Sequence, residues 1–360
     1  MTSKQSINSS LILGGGIGLG AFQVGAFEVL QAAGINIRSV SGASIGAING
    51  AIIVGNAPED RAAKLRGFWD VISVEALPTA WLDPWGVGSR GRSRRLRNWV
   101  NSLATGVTGS PGLFLPRLAS GGRGHARSLY DNSVAARTLS SFVDFDRLND
   151  GSVRFCLATT DVEAGEAAFF DTAKGDRIEL DHLLASSSLL PAFEPVRIGK
   201  RLLADGGLAV NVPLEAEIGP ARGSCAEPLC FVLDLYTPGG GQPLPLNRVV
   251  ESSLDLIFGM QTRMRLAGLA REWELRSKLR AATASPEADG GYACGGVDLF
   301  YMSYRGAEED AGFGKPFDLS PATLTERIEE GRRAADRALA LRNTLPAETH
   351  ADLRVHRVAH

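Results

Sequence analysis

Val40-Ser41-Gly42-Ala43-Ser44-Ile45-Gly46-Ala47-Ile48-Asn49-Gly50 reads G-x-S-x-G centred on Ser44. A serine in that frame sits on a tight strand-to-helix turn, where small neighbours let the backbone bend sharply without a clash. The surroundings fit. Ile35, Ile37 and Val40 precede the turn as a short apolar strand, and Ile45 to Val54, rich in Ala and Ile, follows it as a helix. Such a turn exposes the hydroxyl and aims a helix N-terminus at the reacting atoms. In a chain with 42 glycines the pattern also arises by accident, so its neighbours decide whether Ser44 is a nucleophile.

Upstream, Leu11 to Leu13 forms a short strand that runs into Gly14-Gly15-Gly16-Ile17-Gly18-Leu19-Gly20. Ala21 to Ala33 then carries apolar residues at three- and four-residue spacings up to a stop at Gly34. The unit is strand, glycine loop, helix. A dinucleotide fingerprint needs G-x-G-x-x-G, and no register supplies it: Gly14 and Gly16 are followed by Leu19, Gly16 and Gly18 by Ala21. Nor does an acidic residue end a second strand about 20 positions on. A Walker loop would need Gly-Lys-Ser/Thr, which is absent. A serine turn shortly downstream favours the other reading, an oxyanion hole built from bare backbone N–H groups.

A serine nucleophile also needs a base. Downstream, Ser152 to Thr159 alternates like a strand, Glu166 to Asp171 looks like its hairpin partner, and His182 to Ser188 is helical. Arg201 to Ala204 is a short strand ending at Asp205-Gly206-Gly207. An Asp there is placed by a turn, its carboxylate free to point across the sheet edge. Alone, an Asp-Gly is only a turn. The histidines are His125, His182, His350, His356 and His360. None follows the acid at a strand end in the order Ser, acid, His, unless a tail histidine does so. Asp205 acting directly on Ser44 is the better reading.

The rest of the chain bounds the answer. Lys64 to Val74 and Arg94 to Leu103 read as helices, and residues of about 75–127 as an insertion holding Trp81, Trp85 and Arg90 to Arg97. That insertion reads either as a lid meeting a lipid surface or acidic head group, or as a solvated arginine-rich helix over packed tryptophans; the second is plainer. Leu229 to Tyr236 is a strand, Pro238 to Pro245 a linker, Val249 to Ala282 a long helix and Asp298 to Tyr304 a strand. Ser320-Pro321 opens a final helix that runs to about Asn343, and residues 346–360 read as a loose tail.

With 360 residues, 44% of them hydrophobic, and a formal charge of −2, the chain has ample core, and nothing points to nucleic acid as a partner. Cys156, Cys225, Cys230 and Cys294 form no C-x-x-C pair, so neither zinc nor a disulfide framework is indicated. No metal or cofactor is expected. Reduced thiols and a polar N-terminus unlike a secretory signal point to the cytoplasm. No window approaches the roughly 20 apolar residues of a membrane span, so any membrane contact is expected to be peripheral.

Taken together, the glycine loop, serine turn and Asp-Gly-Gly resemble, in that order, the patatin-like phospholipases. The resemblance covers Leu11 to Ile218. Gly14 to Gly25 is similar to the family's glycine-rich oxyanion segment, and Gly42-Ala43-Ser44-Ile45-Gly46 to its elbow. Ala185 to Val196 is similar to the block before the acid, and Asp205-Gly206-Gly207 with Asn211-x-Pro213 to the acid block. The resemblance implies a three-layer α/β/α fold with a mostly parallel sheet, and a Ser-Asp dyad hydrolysing lipid acyl esters. By it Ser44 is the nucleophile and Asp205 the general base, Gly42, Gly46, Gly206 and Gly207 belong to the motifs, and the amides of Gly15, Gly16, Ile17 and Gly18 form the oxyanion hole.

Family members usually carry Gly-Gly-Gly-x-Arg/Lys-Gly, and Leu19 stands here in place of the cation. Ile17 also occupies a glycine position. Backbone donors survive both changes. Ser128 to Asp131, Val143 to Asp146 and the region beyond Pro238 are similar to a bacterial branch with an extra C-terminal region. The implied domains are 11–218, catalytic, and 219–345, an α/β extension packed on it. The alternative is a catalytically weak lipid-binding or scaffold protein of the same fold.

Overall fold

A computed structural model describes residues 8–74, 92–117, 128–219, 227–237, 246–283, 295–305, 315–346, 350 and 352–359. The side chains of Trp81, Trp85, Arg90 to Arg97, His125, Cys225, Cys294 and His360, and the segment 238–245 expected as a linker, lie outside the described residues.

The strands are β1 (Asn8–Leu13), β2 (Asn36–Ala43), β3 (Leu115–Pro116), β4 (Tyr130–Asp131), β5 (Arg154–Asp161) and β6 (Glu166–Asp171). They continue with β7 (Val196–Ile198), β8 (Arg201–Asp205), β9 (Leu229–Asp234), β10 (Val297–Ser303) and β11 (Leu353–Arg357). The first helices are α1 (Ala21–Ala32), α2 (Ile45–Val54), α3 (Arg61–Ile72), α4 (Arg92–Thr108), α5 (Ser133–Phe142) and α6 (Phe145–Leu148). After them come α7 (Leu180–Ser186), α8 (Leu214–Ile218), α9 (Leu246–Thr283) and α10 (Pro321–Thr344).

Among the described residues, nine strands form one mixed sheet in the order β11-β10-β9-β1-β2-β5-β8-β7, with β6 also on β5. From β11 through β5 every pairing is parallel; β6 and β8 run antiparallel to β5. Strand alternation splits the core between two faces. Leu11, Leu13, Phe231, Leu233, Phe300 and Met302 point to one, with apolar residues of α1, α2, α3 and α10. Ile12, Cys230, Val232, Leu299 and Tyr301 point to the other, with α8 and α9. The result is the three-layer α/β/α arrangement expected.

Strand β5 places the site. Strand β6 pairs residues 156–161 along one edge of it. The other edge is shared: β2 runs up it until Ala43 faces Ala158, and β8 comes down it until Asp205 faces Thr159. The ends of β2 and β8 therefore meet at adjacent rungs. At the opposite end of β5, half-buried Arg154 anchors the strand to Asp171 (2.6 Å) and Glu217 (3.1 Å).

The tail expectation is overturned. Residues Leu353–Arg357 form β11, parallel to β10, and Val358 N donates to Tyr301 O (3.0 Å). His350 Nε2 and His356 Nε2 hold the two oxygens of Asp298, at 3.1 and 2.7 Å, and the His356 ring stacks on Phe300. Leu-Arg-Val-His-Arg is a short, charged edge strand, ordered by the strand beside it and not by its own composition.

Candidate active site

Ser44 follows β2 and caps α2 with φ 54° and ψ −127°. For a residue with a Cβ this is a strained conformation, costing about 1–3 kcal/mol, that persists only where the surroundings impose it. They do so by crowding. A Cβ on Gly42 would run into the Gly46 carbonyl, and one on Gly46 into the Leu13 carbonyl, so the G-x-S-x-G glycines let strand and helix close to van der Waals contact. Ser186, at the end of α7, completes the hold: its Oγ accepts from Ser44 N (3.1 Å) and donates to Ala158 O (2.7 Å). Ser186 lies inside the block that resembles the family's, but no sequence feature marked it apart from its neighbours.

Asp205 meets Ser44 across the shared edge of β5. Ser44 Oγ donates to Asp205 Oδ2 at 2.6 Å, and Gly207 N donates to Oδ1 at 2.7 Å. The strand end is fixed by Asp205 N donating to Ser188 O (3.0 Å) and by Thr160 Oγ1 donating to Asp205 O (2.7 Å). A Cβ on Gly206 would overlap the Ala158 carbonyl, which explains the first glycine of Asp-Gly-Gly. The amide of Gly207 explains the second. With 3% of its surface exposed, Asp205 is pushed up to about 7 by burial, against the opposing pull of its bonds from Ser44 and Gly207.

The glycine loop packs directly against Ser44. Gly14 N donates to Leu233 O (3.0 Å), tying the loop to the sheet. Gly15 N donates to Asn211 O (3.1 Å), which differs from its expected place among the oxyanion donors. What Gly15 supplies is space, since a Cβ there would come 2.9 Å from Ser44 Cβ. Next, Ile17 takes φ 48°, a genuine outlier for a β-branched residue. The amides of Gly16, Ile17 and Gly18 have no backbone acceptor among the described residues. Gly16 and Ile17 line the cavity with Ser44 and Asp205, while Gly18 is buried behind them. Leu19, where the resemblance leads to a cation, is wholly buried in the core.

The cavity measures about 840 Å³ and is mostly apolar. Trp99, Leu103 and Val107, four residues apart on α4, form one wall, and Ile257 and Phe258 of α9 another. Helix α9 reaches the site itself: Gln261 Oε1 accepts from Asn211 N (3.3 Å) and Gln261 Nε2 donates to Gly207 O (3.4 Å). Sequence spacing gives no hint of Gln261, which lies over fifty positions from Gly207. Among the described histidines, His182 Nδ1 accepts from Glu179 N and caps α7, and His350 and His356 serve Asp298. None of them bonds Ser44 or Asp205. No helix among the described residues is long and apolar enough to cross a membrane.

The chain is similar in structure to VipD from Legionella pneumophila, with 17% identity over 94% of this chain and 67% of that one and a TM-score of 0.43. It is also similar to ExoU of Pseudomonas aeruginosa, solved with SpcU, at 16% identity over 96% of this chain and 55% of that one, TM-score 0.37. It thus spans little more than half of ExoU. No curated protein matches the sequence. A sequence profile described as patatin-like phospholipase matches residues 11–218, more than half of the chain and the part holding the glycine loop, Ser44 and Asp205. The chain belongs to the patatin-like phospholipase family.

Proposed function

We propose that this family member, whose family hydrolyses lipid esters, is a serine acyl hydrolase of the phospholipase A or lysophospholipase type, using Ser44 and Asp205. Ser44 Oγ attacks the acyl carbonyl while Asp205 takes its proton. The amides of Gly16 and Ile17, with Gly18 behind them, receive the oxyanion, each donor contributing about 3–4 kcal/mol. Collapse expels the alcohol, which takes the proton from Asp205 and leaves an acyl-serine. Water, deprotonated by Asp205, then attacks that ester and releases the fatty acid, and the proton returns to Ser44.

The observation that carries this reading is the 2.6 Å bond from a strained serine to a buried carboxylate at the wall of an apolar cavity. A base poised near neutrality is matched to proton transfer at physiological pH. Trp99, Leu103, Val107 and Ile257 both line the cavity and are exposed, which supports peripheral contact with a lipid surface and entry of the acyl chain between α4 and α9.

The test is hydrolysis of short- and long-chain acyl esters by the wild type and two variants. Ser44→Ala is expected to abolish turnover, and Asp205→Asn to lower it by about 10²–10⁴-fold. Turnover that survives both substitutions would sink the assignment. A folded wild type that binds lipid but turns over nothing would favour the scaffold reading.

A further inference from the structure

The glycine loop has no ionisable side chain of its own: residues 14–20 are Gly-Gly-Gly-Ile-Gly-Leu-Gly. A full charge nevertheless lies against it. Arg327 of α10, far outside the segment that matches the family, is 1% exposed and among the largest fully buried side chains. Its Nη1 donates to Asp318 O and its Nη2 to Lys315 O, both at 2.9 Å. A Cβ on Gly18 would stand 3.0 Å from Arg327 Nη1 and 2.7 Å from Pro316 O. The guanidinium and the turn it ties together are therefore the wall against which Gly18 bends.

The packing of α10 fixes this placement. It lies on α1, the helix that leaves the loop, and the two meet through glycines. A Cβ on Gly25 would overlap the Ile328 carbonyl, and one on Gly331 the Phe22 carbonyl. Contacts that close hold the register of α10 and bring Arg327, next to Ile328, to the loop end of α1. Burying a guanidinium is costly, and a neutral side chain could fill the same volume. The charge also reaches the cavity. Tyr236 lines it, and there burial and then Asp255, Asp205 and Asp234 push the phenol up while Arg327 pulls it down.

We propose that Arg327 is a positioning residue for the hydrolysis: its guanidinium braces the Gly18 turn so that the Gly16 and Ile17 amides face the developing oxyanion. This rests on the reading of the loop as the oxyanion hole, and the brace and the chemistry can be tested apart.

The experiment compares the full-length wild type with Arg327→Met and Arg327→Lys. Three quantities are read: kcat and KM per titrated Ser44 on a short acyl ester, inhibition by a trifluoromethyl ketone of the same acyl length, and hydrogen exchange of the 14–20 amides. Arg327→Met is expected to lower kcat by about 10- to 100-fold with KM nearly unchanged, and to weaken the ketone by the same factor. Its loop amides should exchange faster. Arg327→Lys, which keeps the charge but reaches one of the two carbonyls, should fall between, and it decides the matter if the Met variant fails to fold. A merely structural arginine would change the titratable fraction but leave kcat per site and the ketone untouched, and that result overturns the proposal. So would loop exchange at the wild-type rate in a folded variant. Should the wild type turn over no ester while loop exchange still responds, the brace stands and the hydrolase reading fails.

Discussion

Two carboxylates, at the ends of β8 and β9, share a sheet and a degree of burial and differ in what surrounds them. Asp205 and Asp234 are both essentially inaccessible, and burial pushes the first up to about 7 and the second to about 6. Asp234 is enclosed. Tyr301 donates to its Oδ2 at 2.5 Å and the backbone N of Tyr236 to its Oδ1 at 3.1 Å, and Asp234 itself does not line the cavity. Asp205 has one backbone donor and one side-chain donor, and the side chain is a strained serine facing a cavity. A raised carboxylate is thus no mark of a site by itself. Access and the identity of the donor make the difference.

The comparison makes opposite predictions for the two residues. The largest concerns activity: Asp205→Asn removes the base and costs about 10²–10⁴-fold in kcat, whereas Asp234→Ala should leave kcat per titrated Ser44 within about tenfold. Equal losses would erase the distinction. Stability should move the other way. Asp234→Ala strands the Tyr301 hydroxyl and the Tyr236 amide and should cost about 1–3 kcal/mol in chemical denaturation. A carboxyl raised on folding binds its proton more tightly when folded. Its contribution is therefore fully favourable at low pH and is lost as pH rises through the folded value. Asp205→Asn, which carries no charge to bury, should accordingly be more stable than wild type at pH 8, with the gain vanishing near pH 4. Melting curves at the two pH values decide this, and a loss at pH 8 would contradict it.

The same titration sets the activity profile. Hydrolysis should rise with pH as Asp205 loses its proton, with a midpoint of about 7. A flat profile between pH 5 and 8 would assign the base elsewhere. The smallest effect belongs to Ser186→Ala, which frees Ser44 N and the Ala158 carbonyl. It should lower stability by about 1 kcal/mol and kcat by no more than about tenfold.

Much of this was legible in the sequence, and unevenly so. The two strand-turn-helix units around the glycine loop and Ser44 stand out because glycine spacing and apolar periodicity agree there, and α2 runs Ile45–Val54 as read. Asp205 was legible less directly, by elimination of the histidines and then through the resemblance. An Asp-Gly is a turn until the register on β5 puts it beside Ser44. Which loop amides are free depends on Asn211, nearly two hundred positions away in the chain, and no local pattern reports that. Gln261 and Arg327 sit on helices whose spacing reveals their length and apolar face, not which polar residue reaches a distant loop. Strand β11 was hidden for the converse reason: its residues are strand only because β10 and Asp298 make them so.

The central claim is a serine activated by a carboxylate with no histidine between them. Incubation of the folded protein with a fluorophosphonate probe, followed by mass spectrometry of the adduct, tests it most directly. The account predicts labelling at Ser44 in the wild type and a steep loss of labelling rate in Asp205→Asn. Labelling that persists unchanged in Asp205→Asn, or that falls on a different residue, would contradict it.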